Sequence, residues 1–183
     1  EAGSAVAAPT RPERPLREEH RLRDDVLPQT EEAQMAAITE TVEIARRPED
    51  VFAYIDDLER HGEWQEEIVS AHVEGEGPTK VGTRAIEKRR MGRREQEVTY
   101  EITEHDPPRT FAFRGTGGPI RPIGKGTVEP LDGGERSRVT IDFDFEAHGI
   151  AGKILKPMAL MQARKSIPKG QQRLKERLES GAA

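Results

Sequence analysis

The chain contains no cysteine. Disulfides, thiolate chemistry and Cys-ligated zinc are therefore excluded, and a reducing, cytoplasmic setting is expected. Aromatic residues are scarce: one Trp, two Tyr and five Phe among 183 residues. Apolar residues make up 33 % of the chain and charged residues 34 %. No apolar run approaches the length of about 20 residues that a membrane-crossing helix needs. The early "AGSAVAAP" is too short and too weakly apolar for a signal-peptide core. The chain starts at Glu1, which leaves room upstream for a signal or an anchor. A net charge of −5 lacks the positive footprint of generic nucleic-acid binding, so no nucleic-acid partner is expected.

Much of the polarity lies in residues 1–37, which hold several prolines and few large apolar side chains. They read as a disordered N-terminal arm, leaving residues 38–180 for one compact domain. Within it, "ITETVEIAR" alternates as a half-buried strand does, with Ile38, Val42 and Ile44 on one face. Pro48, Glu49 and Asp50 suit a helix start, and Val51, Phe52, Ile55 and Leu58 form its apolar stripe. Gly62 divides this region into two short helices.

Alternating segments then follow in series. A strand at "EIVSAHVEGEG" precedes three more, turning near Met91-Gly92 and near His105-Asp106-Pro107-Pro108. A last hairpin turns at Asp132-Gly133-Gly134. From about Ala151 to Leu178, apolar residues recur at three- and four-residue spacing, which predicts a long helix. Pro168 is expected to kink or split it, and Pro157 is a candidate for its true first turn. A long antiparallel sheet with one apolar face must cover that face. One helix across a curved sheet leaves a concave, largely apolar space, the natural ligand site.

Three segments resemble the START-like superfamily, also called Bet v 1-like or SRPBCC, in its polyketide cyclase/dehydrase branch. They are "VEIARRPEDVFAYIDDLERHGEW", "GKGTVEPLDGGERSRVTIDFDFEAHGIAGKIL" and the final helix with "LKERLE". The resemblance spans about Ile38 to Leu178. It implies an α+β helix-grip fold: a curved antiparallel sheet wrapped around a long C-terminal helix, with two short helices after the first strand. It also implies a hydrophobic cavity in a START-like ligand-binding domain. It implies no single chemistry, and it carries over no catalytic set.

In "TIDFDFEAHG", Asp142, Asp144 and Glu146 alternate with Ile141, Phe143 and Phe145. A two-residue step along a strand is roughly 6.6 Å, wide for a metal shell. The acids are therefore assigned to a solvated outer face and the apolar residues to the pocket. Parity likewise places Val98, Tyr100 and Ile102 inward, together with Phe111 and Phe113. Trp64, Met158 and Met161 complete the pocket candidates. Tyr100 is the foremost polar one, because a buried hydroxyl needs a partner: a ligand, a water or another side chain. Arg84, Arg94, Arg114 and His148 are candidates for the pocket rim. His105, in its Pro-Pro turn, is expected to be exposed.

Arg89, Arg90, Arg93 and Arg94, with Lys88, crowd one hairpin tip. They suit contact with an acidic membrane surface or an acidic protein. The histidines form no zinc motif, and no metal is expected. The Gly115–Gly118 loop lacks the strand–GxGxxG–helix context of a dinucleotide site, so no cofactor is expected. "GTGGPIRPIGKG" reads either as a flap over one end of the cavity or as an irregular strand start.

Three functions remain open. The first is binding or carriage of a small hydrophobic molecule, lipid or polyketide-like. The second is a cyclase or dehydratase, with Tyr100 and a rim arginine transferring protons. The third is a protein-interaction module with a vestigial cavity. Monomer and dimer are both compatible with the sequence.

Overall fold

The computed structural model describes Gly3 and residues 36–181. The arm expected over residues 1–37 therefore falls almost wholly outside the described residues. The elements run β1 (Ile38–Ile44), α1 (Pro48–Asp56), a 3-10 helix (Leu58–Glu63), β2 (Ile68–Glu74), β3 (Arg84–Met91), β4 (Arg94–Asp106), β5 (Thr110–Gly115), β6 (Ile120–Leu131), β7 (Arg136–Ala147) and α2 (Gly149–Ser180). All strands form one sheet, in the order β1-β7-β6-β5-β4-β3-β2. Every neighbouring pair is antiparallel. The sheet curves around α2, and α1 with the 3-10 helix follows β1. This is the helix-grip topology.

Local chemistry explains the frame. Pro48 opens α1, Glu49 and Asp50 complement its N-terminal dipole, and Val51, Phe52, Tyr54 and Ile55 bury its inner side. The β6–β7 hairpin turns through Asp132, Gly133 and Gly134, with φ of 50°, 72° and 95°. Such left-handed backbone favours glycine and tolerates aspartate. The main core joins Phe52, Ile55 and Trp64 to Val128, Val139, Leu174 and Leu178. A smaller cluster joins Leu58, Ala85, Tyr100 and Ile102.

One expectation about the backbone changes, and one pair of alternatives is decided. Helix α2 runs unbroken through both Pro157 and Pro168. Each proline removes one helical hydrogen bond, but the helix is held along its length by Gly152, Ala159, Ala163, Gly170, Leu174 and Leu178, all buried. The glycine-rich segment is chiefly strand: β6 begins at Ile120 and pairs with β7 from Ile120–Ala147 to Leu131–Arg136. Only Thr116–Pro119 form the connection, which the amide of His148 pins by donating to the carbonyl of Pro119 at 2.7 Å.

Glycine has a second use in β6. Gly124 pairs with Phe113, and Gly126 with Phe111, across the strand boundary. Both rings lie over the bare backbone, where a Cβ would collide with them. Gly126→Ala should therefore push the Phe111 ring off the sheet, at a cost of about 1–3 kcal/mol. Urea denaturation reads this directly, and an unchanged midpoint would show that the ring is free to move.

Candidate functional site

The buried side of α2 is built from small residues where it crosses the sheet. Ala159 and Ala163, with Gly170 set against Trp64, leave a cavity of about 430 Å³. Its walls come from Val98, Tyr100 and Ile102 of β4, Phe111 and Phe113 of β5, Ile141, Phe143 and Phe145 of β7, and Trp64. The rings pack in a chain: Tyr100–Phe113 at 5.3 Å, Phe113–Phe143 at 6.4 Å and Phe143–Phe145 at 5.0 Å between centroids. Tilted and edge-on contacts of this kind suit aromatic quadrupoles.

One end of the cavity is charged. The register Ala85–Tyr100 and Glu87–Val98 turns Glu87 and Arg89 of β3 to the inner face. Glu87 is 2 % exposed. Its Oε1 accepts from the Tyr100 hydroxyl at 2.9 Å and lies 3.1 Å from His61 Nδ1, and its Oε2 accepts from Arg89 Nε at 2.7 Å. Arg89 also donates to Gln65 Oε1 at 2.7 Å and pairs with Glu67 at 3.5 Å. His61 Nε2 lies 2.8 Å from the carbonyl oxygen of Ile55. That oxygen can only accept, so Nε2 carries a hydrogen. The imidazole thus bridges the Ile55 carbonyl and the Glu87 carboxylate.

Burial alone would raise the Glu87 carboxyl, but the Arg89 charge and the hydrogen bonds from His61 and Arg89 bring it down to about 2. The Tyr100 hydroxyl is pushed well above its ordinary value by burial and by the adjacent Glu87 charge. Neighbouring Tyr54 is raised to about 12, by burial and by donation to Glu63. Two polar atoms of cavity-lining residues have no partner among the described residues: the buried Trp64 Nε1 and Gln171 Oε1.

The mouth is a groove of about 280 Å³ between the 3-10 helix region, the β3–β4 tip and α2. It shares Trp64, Glu67, Arg90, Gln162, Ser166 and Gly170 with the cavity. Lys165, Lys169 and Arg173 line its α2 side.

Several sequence-based positions are corrected. Met158 and Met161 point to solvent, 60 % and 57 % exposed, and line no part of the cavity. They sit on the side of α2 opposite Ala159 and Ala163. The four rim candidates also lie away from it: Arg84 pairs with Glu101 at 3.3 Å, Arg114 and His148 each meet Glu146 at 3.5 Å, and Arg94 is exposed at the β4 start. Their strand parity or terminal position turns them outward. Arg89 leaves the exposed tip cluster because its parity with Glu87 turns it inward; Arg90, Arg93 and Arg94 remain exposed. His105 is largely covered, 2.8 Å from Asp56 Oδ1, with its ring tilted against that of Phe52.

The row of acids is not a uniformly solvated face. Asp142 accepts from Thr39, and Asp144, only 8 % exposed, pairs with Lys156 at 2.9 Å. Strand β1 begins opposite Phe143, so Asp144 has no β1 partner, and Lys156 of α2 reaches it. Among the described residues, no group of three or more His, Asp or Glu side chains is placed to hold a metal.

Residues 35–179 match the family model described as "polyketide cyclase / dehydrase and lipid transport". No curated protein sequence matches the chain. Among solved structures, a protein from Thermus thermophilus is similar, with 21 % identity and a TM-score of 0.65 over 80 % of this chain and 99 % of that one. A START superfamily protein from Mycobacterium smegmatis gives 16 % identity and a TM-score of 0.64, over 78 % and 97 %. The Zhui aromatase/cyclase from Streptomyces sp. R1128 gives 16 % and 0.66, over 80 % and 94 %. At such identities the structural likeness concerns the fold. The sheet gripping α2 and the match across residues 35–179 together show that this chain belongs to the polyketide cyclase/dehydrase and lipid-transport family, within the START-like (SRPBCC) superfamily.

Proposed function

We propose that the protein binds and carries a small, largely apolar molecule, lipid or polyketide-like, in the cavity between sheet and α2. The observation that carries this reading is the 430 Å³ aromatic-walled space between the sheet and α2.

Tyr100, His61 and Arg89 converge on Glu87 at the end wall, an arrangement that favours the cyclase or dehydratase reading, but the directions in which Glu87 and Tyr100 are pushed count against proton transfer by these two groups. Glu87 at about 2 is a weak base, and Tyr100 pushed upward is a weak acid. A proton-transferring group works best near the operating pH. Each polar group of this wall is already engaged by its neighbours, which suits a fixed surface against which a ligand's oxygen can rest. A vestigial interaction module would be expected to fill its core, and the open cavity counts against it.

Native mass spectrometry of freshly purified protein tests the proposal, followed by denaturation and organic extraction. A reproducible excess mass recovered free in the extract is the expected result. A clean apo mass, with no uptake of added long-chain lipids or aromatic polyketides in titration, would refute carriage.

A further inference from the structure

The outer side of α2 has a composition unlike the rest of the chain. Between Gly149 and Lys175 there are seven lysines and arginines and no aspartate or glutamate, in a protein whose net charge is −5. On this helix Ile150, Ile154, Met158 and Met161 are 80 %, 70 %, 60 % and 57 % exposed. Their spacing of four, four and three residues puts them on one face, a ridge about 16 Å long. Lys153, Lys165 and Lys169 have no ion pair among the described residues. Ridge and cavity mouth adjoin: Met161 is followed by Gln162, which lines the mouth together with Lys165 and Lys169.

We propose that this face of α2 docks on an anionic lipid bilayer, with the Ile/Met ridge entering the headgroup–acyl boundary and the flanking lysines meeting the lipid phosphates. Four exposed large apolar side chains in a line are a liability in water unless something covers them. An exposed apolar ridge bordered by cations matches a soft planar surface of opposite charge. A second copy of the chain fits poorly, because pairing these faces would bring two acid-free cationic helices together. Docking this way sets the mouth against the interface, so that an apolar guest could pass without crossing bulk water. The proposal rests on the helix surface and holds whatever the cavity contains.

The test is flotation of the full chain with phosphatidylcholine vesicles, with and without phosphatidylglycerol. Wild type is expected to float with the anionic vesicles and much less with the neutral ones, and added salt should release it. Ile154→Glu/Met158→Glu should lower the partition coefficient at least about tenfold, and Lys165→Glu/Lys169→Glu should abolish the anionic preference. Both pairs are surface positions, and unchanged thermal melts would show that folding is not the cause. Wild type that ignores phosphatidylglycerol, or a ridge variant that floats like wild type, overturns the proposal. So does light scattering that shows a wild-type dimer turned monomeric by the ridge substitutions, which would assign the ridge to self-association.

Discussion

Glu87→Gln lowers the stability of the domain by about 3–5 kcal/mol, the cost of removing one partner from a buried charge cluster. For a domain of this size that is a fall in melting temperature on the order of 10 °C. The carboxylate faces Tyr100, His61 and Arg89 at once. An amide can serve at most some of these donors, and its own NH2 would turn toward one of them, most damagingly the Arg89 guanidinium. The effect also has a pH signature. The folded Glu87 carboxyl lies at about 2, below its ordinary 4.5. A depressed carboxyl contributes stability that is fully present above the unfolded value and is lost as pH falls through the folded one. That contribution is about 3 kcal/mol. Urea melts of wild type and Glu87→Gln should therefore differ widely at neutral pH and converge as the pH approaches 2. A gap that stays constant down to that pH would mean that Glu87 is not held as an ion in the fold.

Ala163→Phe should abolish ligand uptake without unfolding the protein. Ala163 is buried, and its side chain borders the cavity from α2. A phenyl ring there enters a space already walled by Phe113, Phe143 and Ile141. Insertion into a packed core costs about 1–3 kcal/mol, but here the ring replaces void, so the melting temperature should hold or rise. Titration with 1-anilinonaphthalene-8-sulfonate, or with the extracted guest, should show at least about a tenfold weaker affinity, equivalent to about 1.4 kcal/mol. Retained affinity would place binding outside the cavity.

Most of the frame was legible because period-two alternation survives on one-sided strands. Ile38, Val42 and Ile44 in β1, and Val98, Tyr100 and Ile102 in β4, announce their inner faces directly. The long helix was legible in its C-terminal half, where Leu174 and Leu178 are buried. Its first half misleads: apolar spacing marks Met158 and Met161, whereas the face toward the sheet there includes Gly152 and Ala159, too small to register as a stripe. Proline in the helix misled for a related reason, since packing along the helix offsets each lost bond.

The charged end wall was hidden by composition. "EKRRMGRRE" reads as a surface hairpin because charged residues are seldom buried. The signal that finds Glu87 is register: a turn at Gly92-Arg93 sets Met91 opposite Arg94 and Ala85 opposite Tyr100, and the next inward positions on β3 are then Glu87 and Arg89. His61 carried no such signal, because its role comes from a 3-10 turn brought beside β3 only by the tertiary fold.

Trp64 is the only tryptophan in the chain, and its indole lines both mouth and cavity with an N–H that no described residue accepts. The protein thus carries a single built-in fluorophore at its doorway. Its emission reports one place. A guest entering beside the indole should change its emission, and a heavy-atom or brominated guest should quench it, so entry and exit can be timed without attaching a label.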